Sequence, residues 1–88
     1  MQVDFTKHFS RRIDDLPNEK LRGRLRMVVR TVINAATLGD IPNLKKLKGH
    51  PYAYRIRLGD YRIGLFLEND TIIFAAFEHR KDIYNKFP

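Results

Sequence analysis

The sequence predicts an α+β fold in which an N-terminal helical hairpin packs on one face of a small antiparallel β-sheet. Two patterns carry this prediction. Apolar residues recur at helical spacing as far as Leu38, whereas Tyr52–Tyr84 alternates apolar and polar residues around two tight-turn sequences. A chain of 88 residues without a repeat or linker is predicted to form one domain, residues 1–88.

The first elements are a short strand and a helix. Gln2–Phe5 is predicted to be the strand, and Thr6 is placed to N-cap a helix from Lys7 to Asp15. Pro17 ends this helix, because proline disfavours helical geometry in the residue before it.

A second, longer helix is predicted over Glu19–Leu38. Asn18 stands at its N-cap position, and Gly39 stands where a C-cap glycine would lie. The apolar face of this helix comprises Leu21, Leu25, Val28, Val29, Val32, Ile33 and Ala36. Because the break between the helices is short, the two form a helical hairpin.

Asp40–Pro51 is predicted to be a loop that connects the helices to the sheet. It carries Lys45, Lys46 and Lys48, followed by His50. We interpret the lysines as contacts to the phosphates of a nucleic acid, an interaction that would weaken with salt. A solvated loop without a ligand explains the same residues equally well.

The turn Gly59-Asp60 sets the register of the first hairpin. Glycine at the first loop position suits a type II′ turn, which needs positive φ there. Arg57 then faces Arg62, and Arg55 faces Gly64. Directly opposed residues share a face, so the three arginines lie on the face away from the helices. The buried face comprises Tyr54, Ile56, Leu58, Tyr61, Ile63 and Leu65.

A second turn at Asn69-Asp70 adds the strand Thr71–Phe77. The same reasoning places Ala75 opposite Gly64 and His79 further along the face of the arginines. The remaining pairs are Leu67 with Ile72, Phe66 with Ile73, Leu65 with Phe74, Ile63 with Ala76, and Arg62 with Phe77.

The small side chains of Gly64 and Ala75 predict a shallow trough between the arginines. One interpretation is that the C-terminal tail covers it with Ile83 and Phe87. Another is that a nucleobase or a partner helix occupies it.

The charge points to a polyanionic partner. Seventeen Lys and Arg face ten Asp and Glu, which gives a net charge of +7. Nucleic acid ranks first, an acidic protein second and a membrane surface third. Placing Arg57 opposite Arg62 costs about 0.2–1 kcal/mol, and a phosphate site makes use of such a pair. A merely solubilising surface is the alternative.

Other classes of site lack their signatures. There is no cysteine and no segment like a signal peptide, which predicts a cytoplasmic protein. The three histidines are scattered and no glycine-rich phosphate loop is present, so neither a metal nor a cofactor is predicted. The longest apolar run, Ile72–Phe77, is too short to span a bilayer, so we expect no membrane partner.

Three segments together resemble the RelE/ParE superfamily of toxins from type II toxin–antitoxin modules, on the RelE side. They are Leu47-Lys48-Gly49, Tyr54–Ile63 and His79–Tyr84, and the order of elements agrees over nearly the whole chain. The resemblance implies a RelE-like fold and a metal-independent endoribonuclease that cuts mRNA in the ribosomal A site. It also implies a neutralising antitoxin protein, through which alone operator DNA is contacted.

The resemblance also implies a set of catalytic residues. They are Arg55, Arg57, Arg62, His79, Arg80 and Tyr84. The chain departs from the family in two ways. Its basic pair is Arg-Arg where lysines are common, and Arg80 is shifted from the expected arginine, with Glu78 a candidate for that position.

Cleavage of RNA by its own 2′-OH needs a proton acceptor, a proton donor and a stabiliser of the phosphorane charge. Arginine suits the third task and is a poor base at neutral pH. His79 is the candidate for one proton transfer, and Tyr84, surrounded by cations, for the other. A solvent-exposed histidine and a packing tyrosine are the plain alternatives.

Two other functions remain open on the sequence. A ParE-like protein of the same fold would inhibit DNA gyrase without nuclease chemistry. An inactive family member would act as a corepressor together with its antitoxin.

Overall fold

The computed structural model describes residues 1–88 and contains one five-stranded sheet in the order β1-β5-β4-β3-β2. The elements are β1 (Gln2–Phe5), α1 (Lys7–Asp14), α2 (Glu19–Asn34), a 3₁₀ turn (Leu38–Asp40), β2 (Leu44–Lys46), β3 (Ala53–Leu58), β4 (Tyr61–Glu68), β5 (Thr71–His79) and α3 (Ile83–Lys86). Strands β2 to β5 pair antiparallel, and β1 lies parallel to β5 at one edge. This confirms the predicted α+β class.

Both long helices begin where their capping residues predict. The Thr6 hydroxyl accepts the Phe9 N–H at 3.1 Å, and Asn18 Oδ1 accepts the Leu21 N–H at 3.0 Å. Each bond satisfies one of the backbone donors that a helix leaves without an internal partner at its first turn.

The end of α2 differs from the prediction. The helix stops at Asn34, because the Asp40 carboxylate accepts the N–H groups of Ala36 and Thr37 at 3.2 and 3.1 Å. These bonds start the 3₁₀ turn, so Gly39 is not a C-cap glycine. Ile33 also lies outside the core, with 47% of its surface exposed.

The connection between helices and sheet contains a strand that the sequence analysis assigned to a loop. After Asn43, whose φ is 62°, the chain forms β2 and pairs with β3. Lys45 lies opposite Arg55, and Lys46 lies opposite Tyr54. The two lysines therefore point to different faces of the sheet.

The first hairpin has the predicted register. Gly59 has a φ of 58°, Arg57 pairs with Arg62, and Arg55 pairs with Gly64. Since opposed residues share a face, the three arginines lie together on one side of the sheet. We call this side, which lies opposite the main core, the arginine face.

The second hairpin has the predicted register only near its turn. Leu65 pairs with Phe74, but Gly64 pairs with Ala76, so Ala75 is an extra residue in a β-bulge. The pairs predicted beyond this point are wrong. In the structure, Ile63 pairs with Phe77, Arg62 with Glu78 and Tyr61 with His79. After residue 75, each side chain of β5 therefore lies on the side of the sheet opposite to the one predicted.

Apolar residues form two clusters, one on each side of the sheet. The main core lies between the helical hairpin and the sheet and contains 14 buried residues, among them Val32, Phe74 and Phe77. The smaller cluster lies under α3 and comprises Ala53, Ala76, Ile83 and Phe87. No helix combines the length and the apolar character needed to cross a membrane.

Candidate active site

The trough predicted on the arginine face is filled by the C-terminal tail. The Phe87 ring lies directly over Gly64, so close that a Cβ added there would sit 2.6 Å from the ring. Ile83 is fully buried beside it, in contact with the small residues Ala53 and Ala76. This confirms the tail interpretation and anchors α3 on the sheet.

Anchoring α3 brings Tyr84 against Arg55. The guanidinium carbon lies 4.9 Å from the centre of the Tyr84 ring, within the range of a cation–π interaction. Tyr84 is otherwise open to solvent, with 75% of its surface exposed. The phenol is thus held by one face of its ring while most of its surface stays accessible.

The surrounding cations change the acidity of this phenol. Arg55 lowers the pKa of Tyr84, first as a hydrogen-bond donor and then as a positive charge. Partial desolvation opposes the shift, while the charges of Arg62 and Lys45 add to it. A tyrosinate is favoured next to these cations because they stabilise the charged form.

Tyr84 and Arg55 line a groove with residues of the segment before β3. Its lining includes Lys48 and His50, and Leu47 and Phe87 contribute apolar surface. Lys45 joins the arginine face opposite Arg55, whereas Lys46 does not. We call this the Tyr84 groove. His50 is not among the residues that the sequence predicts for the site, because the composition of a loop does not show which strand end the loop packs against.

Three other predicted residues gather at a different place, the turn between β3 and β4. Arg57, Arg62 and Arg80 line a polar cleft there together with Arg24 of α2. Arg62 Nη1 donates to the carbonyl oxygens of Gly59 and Tyr61 at 2.8 and 2.9 Å, which turns its guanidinium toward the turn. The Arg80 N–H donates to the Asp60 carbonyl at 2.7 Å. The predicted cations therefore divide into two groups.

His79 does not lie on the arginine face, so the position predicted for it is wrong. The bulge pairs it with Tyr61 on the helix-covered side, where the two rings meet edge to face at 5.6 Å between centroids. Its Nδ1 accepts the Lys81 N–H at 3.1 Å. The ring is thus separated from Arg55 and Tyr84 by the sheet.

Glu78 lies on the arginine face opposite Arg62, in the position that was predicted for Phe77. Its carboxylate is 95% buried, and its partner is Arg12 of α1, whose Nε and Nη2 lie 3.3 and 3.4 Å away. His8 Nε2 lies 3.9 Å from the same carboxylate. Arg62 is opposite Glu78 in the register but donates to the turn instead.

Comparison with known proteins assigns the family. No protein-family model matches the chain. It is 40% identical over 89 residues to a protein named Toxin RelE3 from Methanocaldococcus jannaschii, with full coverage of both chains. The chain belongs to the RelE family of toxins. Its fold is similar to the RelB–RelE antitoxin–toxin complex from Methanococcus jannaschii, with a TM-score of 0.80, 38% identity, and coverage of 98% of this chain and 100% of that chain.

A more distant RelE-family structure shows the same fold. The archaeal RelE–RelB complex from Pyrococcus horikoshii has a TM-score of 0.72 at 22% identity, and covers 90% of this chain and 93% of that chain. The parallel edge strand, the helical hairpin and the antiparallel strands are thus those of a RelE fold.

Proposed function

We propose that this chain is the toxin of a type II toxin–antitoxin module and cleaves mRNA in the ribosomal A site, without a metal ion. The observation that supports it most is the Tyr84 phenol held against Arg55 in a basic, solvent-accessible groove. Membership of the RelE family supports the toxin assignment, and the net charge of +7 supports an RNA partner.

The two groove residues divide the chemistry between them. Tyr84, as the tyrosinate, takes the proton of the 2′-OH that attacks the neighbouring phosphate. Arg55 lowers the pKa of Tyr84 and so raises the share of the reactive form at neutral pH. Its guanidinium also suits the charge that develops on the phosphorane. Lys45 adds a second cation on the same face.

The other predicted residues have supporting tasks in this proposal. Lys48 in the groove wall, Lys46 on β2, and the arginines around the β3–β4 turn bind phosphates of mRNA or of the ribosome. A cognate antitoxin neutralises the toxin, as the RelB–RelE complex of a relative suggests. Operator DNA is contacted only through that antitoxin, and the reaction takes place in the cytoplasm.

The deciding experiment is cleavage of mRNA on programmed ribosomes, mapped by primer extension. The unmodified chain is expected to cut within the A-site codon. Tyr84→Phe is expected to lower the rate about 10²–10⁴-fold, because the base is lost while the ring remains. Tyr52→Phe is the matched control, since Tyr52 is also exposed, at 66%, but lies outside the groove.

Two outcomes would reject the proposal. Intact mRNA on A-site-programmed ribosomes, with DNA gyrase inhibited instead, would establish the gyrase-inhibitor function. Equal rates for the Tyr84→Phe and Tyr52→Phe variants would remove Tyr84 from the chemistry even if cleavage occurs.

A further inference from the structure

The proposed reaction needs a second proton-transfer residue, and the Tyr84 groove offers a specific one. Attack by the 2′-oxygen releases a 5′-oxygen, which leaves far more readily when it is protonated. His79 lies across the sheet, opposite Tyr61, and Arg80 lies at the β3–β4 turn. Neither lines the groove that contains Tyr84, whereas His50 does.

The backbone around His50 fixes it at the groove wall. The His50 N–H donates to the Leu47 carbonyl at 3.2 Å, and the Ala53 N–H donates to the His50 carbonyl at 3.3 Å. The Leu47 N–H also donates to the Ala53 carbonyl at 2.9 Å. Three bonds thus close the segment into a compact turn, and Ala53 in turn lies under Phe87 of the tail. His50 is thus held in the lining of the groove that also contains Tyr84 of α3.

The side chain of His50 is uncommitted. It is exposed, and it makes neither a hydrogen bond nor an ion pair with the rest of the chain. By contrast, Nδ1 of His79 accepts a backbone N–H, and His8 lies beside Glu78. His50 is therefore the histidine with both ring nitrogens open to a bound substrate.

We propose that His50 is the general acid that protonates the 5′-oxygen leaving group, an inference that rests on the proposed function. Tyr84 takes the proton of the 2′-OH as the 2′-oxygen–phosphorus bond forms. The bond from phosphorus to the 5′-oxygen breaks, and His50 gives its proton to that oxygen. The products are a 2′,3′-cyclic phosphate and a 5′-hydroxyl, and the charge balances.

The charged groups facing His50 explain why histidine carries this step. They are Lys48 on its own segment, Arg55 on β3 and Tyr84 on α3. Lysine and arginine hold their protons at neutral pH, and their ordinary pKa values make them poor donors to a leaving group. Histidine, with an ordinary pKa of about 6.5, exchanges its proton in this range.

The pH profile of single-turnover cleavage is one test. Tyr84 must be deprotonated and His50 protonated, so the rate is expected to be flat near neutral pH and to fall toward both acid and alkaline pH. In His50→Ala only the requirement on Tyr84 remains, and the rate then rises about tenfold per pH unit through neutral pH. His79→Ala is the matched control and is expected to keep the flat region.

An RNA with sulfur in place of the bridging 5′-oxygen tests the role directly. Sulfur leaves without being protonated, so the need for an acid disappears. With the ordinary oxygen substrate, His50→Ala is expected to cleave about 10²–10⁴-fold more slowly than the unmodified chain. With the sulfur substrate the two are expected to cleave at similar rates, whereas Tyr84→Phe stays slow on both.

The outcomes separate this inference from the proposed function. A His50→Ala variant that keeps the unmodified rate and profile overturns the role of His50 while leaving the nuclease intact. If His50→Ala is equally slow on the oxygen and the sulfur substrate, His50 acts in binding or positioning the RNA, and its role as general acid is also overturned. Absence of cleavage by the unmodified chain rejects the proposed function itself.

A binding measurement keeps the test independent of activity. In the presence of a 2′-O-methyl RNA, which cannot be cut, the NMR signals of the His50 and Tyr84 rings are expected to shift together. Those of His79 should not move, because the sheet separates it from the groove. Movement of Tyr84 without His50 would contradict the inference.

Discussion

The two sides of the sheet carry apolar clusters of very different size. On one side, 14 buried residues join α1, α2 and the sheet. On the other, four buried residues hold α3 and, with it, Tyr84. Regions with few buried contacts open at a lower free-energy cost than the main core. The stability of the fold and the geometry of the candidate site therefore depend on different parts of the chain.

Truncating a ring in the main core is expected to have the largest effect. Phe74 is fully buried, and its ring lies 5.3 Å from Phe5 and 5.4 Å from Phe9 between centroids. Phe74→Ala should lower the free energy of unfolding by about 3–5 kcal/mol. Ile83→Ala, in the small cluster, should cost about 2 kcal/mol and abolish cleavage.

Denaturant unfolding of both variants measures this difference, and ribosome-dependent cleavage reports the site. Equal loss of global stability in both variants would show that the two clusters unfold as one unit, contrary to the comparison.

A smaller effect is expected from a methyl group under the tail. In Gly64→Ala the new Cβ would meet the Phe87 ring at 2.6 Å, so the tail must move away. We expect a loss of about 1–3 kcal/mol, as for other overpacked sites, and a Tyr84 that no longer contacts Arg55. Cleavage should fall while the main core stays folded.

Gly23→Ala is the control for this variant. Gly23 lies within α2, and a Cβ there meets nothing within 4 Å. This change should stabilise the protein by about 0.5–1 kcal/mol and leave cleavage unchanged. If Gly64→Ala behaved like Gly23→Ala, the tail would not depend on Gly64.

The smallest effect on folding is expected from Arg55→Ala, because Arg55 and Tyr84 meet at the surface. The variant removes the main cause of the lowered pKa of Tyr84, so that pKa should rise toward its ordinary value of about 10. The upper limb of the pH–rate profile should move to higher pH accordingly. Titration of the Tyr84 ring signal by NMR, identified with Tyr84→Phe, measures the shift. An unchanged pKa would contradict it.

Much of the fold could be predicted because local signals were unambiguous. Thr6 and Asn18 are strong N-caps, and Gly59 supplies the positive φ that sets the first hairpin. The strand β2 escaped prediction because it has only three residues, two of them lysines, and pairs along a sheet edge. Its pairing partner, not its composition, makes it a strand.

The candidate site was less predictable, because the extra residue Ala75 determines which face of the sheet each later residue of β5 occupies. Ala75 and Ala76 are alike, so the alternation of β5 does not show which of them is extra. A signal was nevertheless present, since a register without a bulge would place the carboxylate of Glu78 inside the main core. That cost favours the bulge. Placing His50 beside Tyr84 required the loop conformation, which no periodicity encodes.

The bulge at Ala75 makes the length of β5 as constrained as its composition. The strand has nine residues, and its two halves obey opposite alternations. Losing Ala75 itself would leave these pairs in place, because Leu65 would still face Phe74 and Gly64 would still face Ala76. One residue inserted between Ala76 and Phe77 would instead exchange the sides of Phe77 and Glu78, putting the carboxylate beneath the helices. Many single substitutions in this strand leave every other side chain on its own side. Such an insertion would misplace an entire half-strand at once, so we expect it to be tolerated less than deletion of Ala75, which removes only the unpaired residue.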